Sequence, residues 1–213
     1  MDAQFWHNKW KNNEIAFHRS NPNSLLLDHL KTLSLKKGSV VFVPLCGKTL
    51  DIAWLLSNGY CVAGVELVES AIQQLFSELA MVPKISIEGE IKHYSAQNID
   101  IYVSDIFAVS QELLGPVDAI YDRAALVALP DELRRRYTAH LIDITNKSPQ
   151  LLIAYHYDQN IVQGPPFSIS DEEVSLHYKN AYNLTLVAST NVEGGMKGKC
   201  EATENVWLLR NED

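Results

Sequence analysis

The chain has 213 residues, enough for one domain, or two at most, and for a core that needs no disulfide or metal staple. Its 46% hydrophobic and 21% charged residues are those of a folded globular protein and exclude a disordered one. Eighteen basic against twenty-six acidic side chains leave a net charge of −8 with no basic stripe, which argues against a general nucleic-acid binder.

Three cysteines, Cys46, Cys61 and Cys200, form no CxxC pair and no even framework, as expected in a reducing compartment. The opening MDAQFWHNKWKNNE lacks a cationic segment followed by an apolar core. No apolar run approaches the ~18 residues of a membrane helix. A soluble, cytoplasmic protein is expected.

In chain order, an N-terminal extension over 1–35 carries the aromatics Phe5, Trp6, Trp10 and Phe17 and a predicted helix from Pro22 to Leu33. Residues 39–43 are continuously apolar, the pattern of a strand buried on both faces, and Pro44 and Gly47 stop it. Lys48 to Ser57 reads as a helix ended by Asn58-Gly59. Cys61 to Val65 is the next buried strand, closing on Glu66. Ile72, Leu75, Phe76 and Leu79 mark a helix over 68–79.

Short strands follow at 85–87, 91–94 and 99–103, of which the last is expected in the main sheet. Residues 117–121 form a fourth core strand, 130–145 a helix with Pro130 at its first turn, and 151–155 a fifth strand. Ser170 followed by Glu173 has capping-box spacing for a helix running to about Tyr182. Strands over 184–192 and 205–209, joined through the glycine-containing loop 193–198, are expected to pair as an antiparallel edge hairpin. Alternation of strand and helix predicts a doubly wound, mostly parallel α/β sheet. With no linker or repeat, 1–213 is expected to be one domain, with the core over 36–213.

Open α/β sheets bind ligands beyond the carboxyl ends of their strands. The first such end is Pro44-Leu45-Cys46-Gly47-Lys48-Thr49, and Glu66 stands twenty-one residues beyond Leu45. An acid at about this distance is the spacing by which nucleotide-binding sheets reach a ribose. A solvent-facing strand-end acid is the alternative. The turn has no GxGxxG, and a P-loop would need a glycine where Phe42 stands. A cofactor with a ribose and no phosphate fits best, and S-adenosyl-L-methionine is the common one.

The residues Phe5-Trp6-His7 with Trp10, Ala16-Phe17-His18, Val43 to Lys48, Gly64 to Leu67, Tyr121 to Leu126, Tyr157-Asp158 and Gly164 to Ser168 together carry a resemblance. The chain resembles the thiopurine S-methyltransferase family, its bacterial members above all, within the class I S-adenosylmethionine-dependent methyltransferases. The resemblance implies a seven-stranded, Rossmann-like sheet with an N-terminal segment folded over the active site. It implies Trp10, Leu45, Glu66, Asp105, Ile106 and Arg123 as cofactor-binding residues.

It also implies Phe17 and His18 at the acceptor, with Phe167 as a wall of that pocket or a mere connector. Lys197 or Lys199 stands where the family can carry a second basic residue. Arg123 is expected to stabilise negative charge on the acceptor, with an ion pair to Asp122 as the alternative. No His, Cys or Asp grouping has metal spacing. The expected reaction is methyl transfer to the sulfur of an aromatic or heterocyclic thiol, in a monomer needing no nucleic acid or membrane partner. Methylation of selenium or tellurium compounds or small thiols, and non-catalytic cofactor binding, are the alternatives.

Overall fold

The computed structural model describes residues 3–15 and 18–211. Five parallel strands form the centre of its sheet: β1 (Val40–Pro44), β2 (Cys61–Glu66), β5 (Ile99–Val103), β6 (Ala119–Arg123) and β7 (Gln150–Tyr157). In β1, Val41 and Val43 enter one hydrophobic cluster and Phe42 the other. This two-sided burial explains why the strand is continuously apolar.

At one edge, β3 (Lys84–Glu88) and β4 (Ile91–Ala96) form an antiparallel hairpin that joins through β4 to β5. At the other, β9 (Ala202–Arg210) lies antiparallel between β7 and β8 (Asn183–Asn191). The order is β3-β4-β5-β2-β1-β6-β7-β9-β8. The sheet therefore has nine strands, not seven. The hairpin over 84–96 accounts for the difference, because it continues the β5 ladder in register from Ile99↔Ala96 to Val103↔Lys92.

Helices cover both faces, as double winding requires. On one face lie α2 (Ser24–His29) with the 3₁₀ turn Leu30–Leu33, α3 (Leu50–Ser57) and α4 (Glu69–Glu78). On the other lie α5 (Gln111–Leu114), α6 (Asp131–Ile144) and α7 (Asp171–Tyr178). The remaining helix, α1 (Ala3–Lys11), sits apart and buries Trp10 against Val68 and Ala71. Ser170 caps α7 by accepting from Glu173 N at 3.2 Å. The Glu173 carboxylate does not close a capping box, because it is taken by Arg134 Nε at 2.5 Å. Among the described residues no helix is long and apolar enough to cross a membrane.

Asp122 is the most deeply placed acid of the sheet. Its Oδ2 accepts from Tyr137 Oη at 2.7 Å and its Oδ1 from Leu126 N at 3.1 Å, on the α6 face. Strand alternation turns it away from Arg123, so it is not the ion partner that holds that arginine. Burial pushes its carboxyl from the usual 3.8 up to about 6, against the pull of these donors.

The folded chain thus binds this proton more tightly than the unfolded chain does. The group's contribution to stability falls as pH rises from about 4 to 6, and the ionised acid costs roughly 3 kcal/mol above that window. Asp122→Asn keeps an acceptor for Leu126 N–H and can donate to the Tyr137 hydroxyl. Urea denaturation is expected to show this variant more stable than the parent at pH 8, with the gain gone at pH 4. Equal losses at both pH values would contradict the argument.

Candidate active site

The chain order reverses between β1 and β6: strands added after β1 run outward to β2 and β5, and those after β6 run the other way to β7. Carboxyl ends at such a switch leave a crevice. A cleft of about 610 Å³ lies there, within the usual size of a small-ligand site. The residues directly after the two switch strands, Leu45 and Ala124, have φ of +47° and +68°. Left-handed backbone at a non-glycine residue costs on the order of 1 kcal/mol and is characteristic of functional turns.

The turn after β1 is built around Glu66. This residue ends β2, is 7% exposed, and accepts from Gly47 N through Oε2 and from Val68 N through Oε1, both at 2.8 Å. Burial raises its pKa, and the backbone donors at Val68, Gly47 and Leu67 oppose the rise. A carboxylate oxygen carries two lone pairs. The hydrogen bonds from Gly47 N and Val68 N use one on each oxygen, and the carboxylate keeps acceptor capacity beyond them.

Gly47 is required twice over: its φ is +52°, and a Cβ there would come within 3.2 Å of Trp10 Cζ2. Trp10 thus lays its indole on the turn while its body packs on Val68 and Ala71. Cys46 in this turn is buried, and burial pushes its thiol well above the usual range, so it is a packing residue.

At the end of β5, Asp105 accepts from Phe107 N at 3.0 Å and stays exposed, whereas Ile106 is buried. Arg136 lies 3.8 Å over the Phe107 ring, placing a flat cationic and aromatic pair at the cleft wall. Across the switch, Tyr121 donates to Asp51 Oδ2 at 2.9 Å, and Asn23 N donates to Asp51 Oδ1 at 2.7 Å. Arg123, two residues along the same strand face as Tyr121, lines the cleft.

The segment between α1 and α2 adds His18 and Arg19. Burial, then the nearby Lys48 ammonium, lowers the His18 pKa, so its imidazole is neutral at pH 7. Lys48 itself is paired with Glu78 at 2.7 Å.

The cleft therefore gathers Trp10, His18, Leu45, Glu66, Asp105, Ile106 and Arg123. Phe17 lies outside the described residues. Phe167 does not wall the cleft. Its amide donates to Val127 O and its ring packs on Gly164 and under Arg134, while Pro165 and Pro166 form the wall in its place. Lys197 reaches the cleft and donates to Pro165 O at 3.0 Å, whereas Lys199 lines a separate depression.

Sequence reasoning missed Tyr121, Asp51, Arg19 and Tyr155. The ends of β6 and β7 were the one available signal for the two tyrosines. Among the described residues no three His, Cys, Asp or Glu side chains converge as a metal site.

The model of the thiopurine S-methyltransferase family matches residues 1–212. This chain belongs to that family. It is 51% identical over 209 residues to the thiopurine S-methyltransferase of Teredinibacter turnerae, covering 98% of this chain and 97% of that protein. It is 48% identical over 210 residues to that of Xanthobacter autotrophicus, covering 98% and 99%.

Among solved structures, the 1,6-didemethyltoxoflavin N1-methyltransferase of Burkholderia thailandensis, with S-adenosylhomocysteine bound, superposes with a TM-score of 0.64 at 16% identity, covering 99% of this chain and 87% of that one. A methyltransferase of Methanosarcina mazei gives 0.64 at 10% identity, covering 91% and 100%. These last two similarities are of fold.

The geometry at Glu66 makes a direct prediction. Glu66→Gln preserves size but removes the charge and leaves one oxygen for two backbone donors. Charged hydrogen bonds are worth ~1.5 to 3 kcal/mol, so calorimetric titration should show S-adenosylhomocysteine binding weakened by tens of fold, with the melting temperature of the free protein lowered as well because one buried backbone donor of the turn loses its acceptor. Unaltered affinity would remove Glu66 from the site.

Proposed function

We propose that this protein transfers a methyl group from S-adenosyl-L-methionine to the sulfur of an aromatic or heterocyclic thiol such as a thiopurine. The observation that carries the reading is Glu66, a buried carboxylate that lines the crevice and is held by the backbone of the turn, in a chain of the thiopurine S-methyltransferase family. The site suits a ribose without a phosphate. The Gly47 N–H that would cradle a phosphate is already donated to Glu66, and the carboxylate itself repels an anion.

When bound, the cofactor supplies a methyl group activated on a sulfonium sulfur. The protein then need supply little acid–base chemistry, and positioning alone contributes ~7 to 11 kcal/mol. In this reading Glu66 accepts from the ribose hydroxyls, Asp105 and Ile106 flank the base, and Trp10 holds the N-terminal segment on the turn while excluding water.

Arg123, across the switch from Glu66, stabilises negative charge on the acceptor sulfur. Residues 1–35 act as the cover of a single catalytic unit whose core spans 36–213. Three free cysteines, one of them buried, fit a monomer of the cytoplasm.

Incubation with methyl-labelled cofactor and 6-mercaptopurine or thiophenol is expected to place label on sulfur. Cofactor binding without transfer to any thiol would leave only a binding protein. Arg123→Ala should lower turnover by about 10²- to 10³-fold, the usual loss for one charge-stabilising donor. Unchanged turnover accompanied only by a lower melting temperature would refute the catalytic role.

A further inference from the structure

We propose that Arg134, which stands behind the cleft and does not line it, is a positioning residue that sets the acceptor wall; this rests on the methyl-transfer reading of the same cleft. Two segments build that wall across the switch from Glu66. One follows β6 and supplies Val127, Ala128 and Leu129; the other follows β7 and supplies Pro165 and Pro166. They meet where Phe167 N donates to Val127 O at 2.6 Å.

Arg134 lies in the first turn of α6, its side chain only 6% exposed. Its guanidinium touches both segments. Nη1 donates to Leu129 O at 2.8 Å, and Cζ lies 5.6 Å from the centroid of the Phe167 ring. A third contact anchors it to α7, where Nε donates to Glu173 Oε1 at 2.5 Å. His177 braces this pair, with Nε2 3.3 Å from the same carboxylate oxygen and Nδ1 3.4 Å from Thr138 Oγ1 of α6.

A guanidinium presents five donors in one rigid plane, so one side chain fixes the spacing of Leu129, Phe167 and α7 together. A buried cation is tolerated only where such partners offset its desolvation. None of Arg134, Phe167, Glu173 and His177 lines the cleft, yet Leu129 and the two prolines, which do, take their places from this network. Tyr157 Oη donates to Pro166 O at 2.6 Å and keeps the loop tied to β7 when Arg134 is changed. Loss of Arg134 therefore shifts the wall without releasing it.

The test is equilibrium binding of 6-mercaptopurine to the full-length protein saturated with S-adenosylhomocysteine. Binding of S-adenosylhomocysteine alone is measured beside it, both below the melting temperature of each variant. Arg134→Lys keeps a charge opposite Glu173 but loses the plane and its fork of donors. It is expected to weaken 6-mercaptopurine by about tenfold and S-adenosylhomocysteine by less than about twofold. Phe167→Leu, which keeps the amide bond to Val127 O, should weaken the thiol in the same direction and by less. A lower melting temperature with both affinities unchanged, or an equal loss of both ligands, would overturn the proposal and make Arg134 a brace of the fold alone. A parent that binds S-adenosylhomocysteine but no thiol would instead sink the acceptor reading, and this proposal with it.

Discussion

A carboxylate taken out of water is tolerated only where donors replace its hydration. Glu66 meets that condition with two backbone N–H groups, from Gly47 and Val68. Much of the cofactor end follows from satisfying it. The Gly47 amide points at Glu66 because the turn after β1 runs through left-handed backbone at Leu45 and Gly47. The Val68 amide points there because the chain turns directly from β2 into α4. Trp10 then covers the turn, where a side chain at position 47 would meet it. An acid, a strained turn and an N-terminal helix are thus one construction.

The two halves of the cleft present different side chains. Toward β2 and β5 the strand ends present Glu66 and Asp105, suited to neutral hydroxyl and amine donors of a nucleoside. Toward β6, β7 and β9 they present Arg123 and the Arg19–Tyr155 pair, suited to an electron-rich acceptor. The sheet's switch point lies between them, and in the proposed reading a methyl carried on one side meets a sulfur held on the other. His18 sits in the cleft with Lys48 and Arg123 nearby and stays neutral, adding no further charge.

The central strands were legible because they are buried on both faces and bounded by Pro, Gly and Asn, and the ends of β1, β2 and β6 located most of the site. What was not legible depends on contacts between distant residues. α1 is short and polar on average, and its buried residue is Trp10, packed on Val68 and Ala71 of another element. The hairpin over 84–96 reads as isolated short strands until β4 finds the edge of β5. Phe167 looks like a pocket wall by its place in the loop, yet its amide and ring are claimed by Val127 and Arg134. Arg19 and Glu204 are separated by 185 positions, a distance at which spacing carries no information.

The most direct measurement is a crystal structure of the protein with S-adenosylhomocysteine. The account predicts both Glu66 oxygens within hydrogen-bond distance of the two ribose hydroxyls, with the Gly47 and Val68 bonds retained and the indole of Trp10 over the turn. A ribose seated elsewhere, with the Glu66 carboxylate rotated out of the crevice, would contradict it.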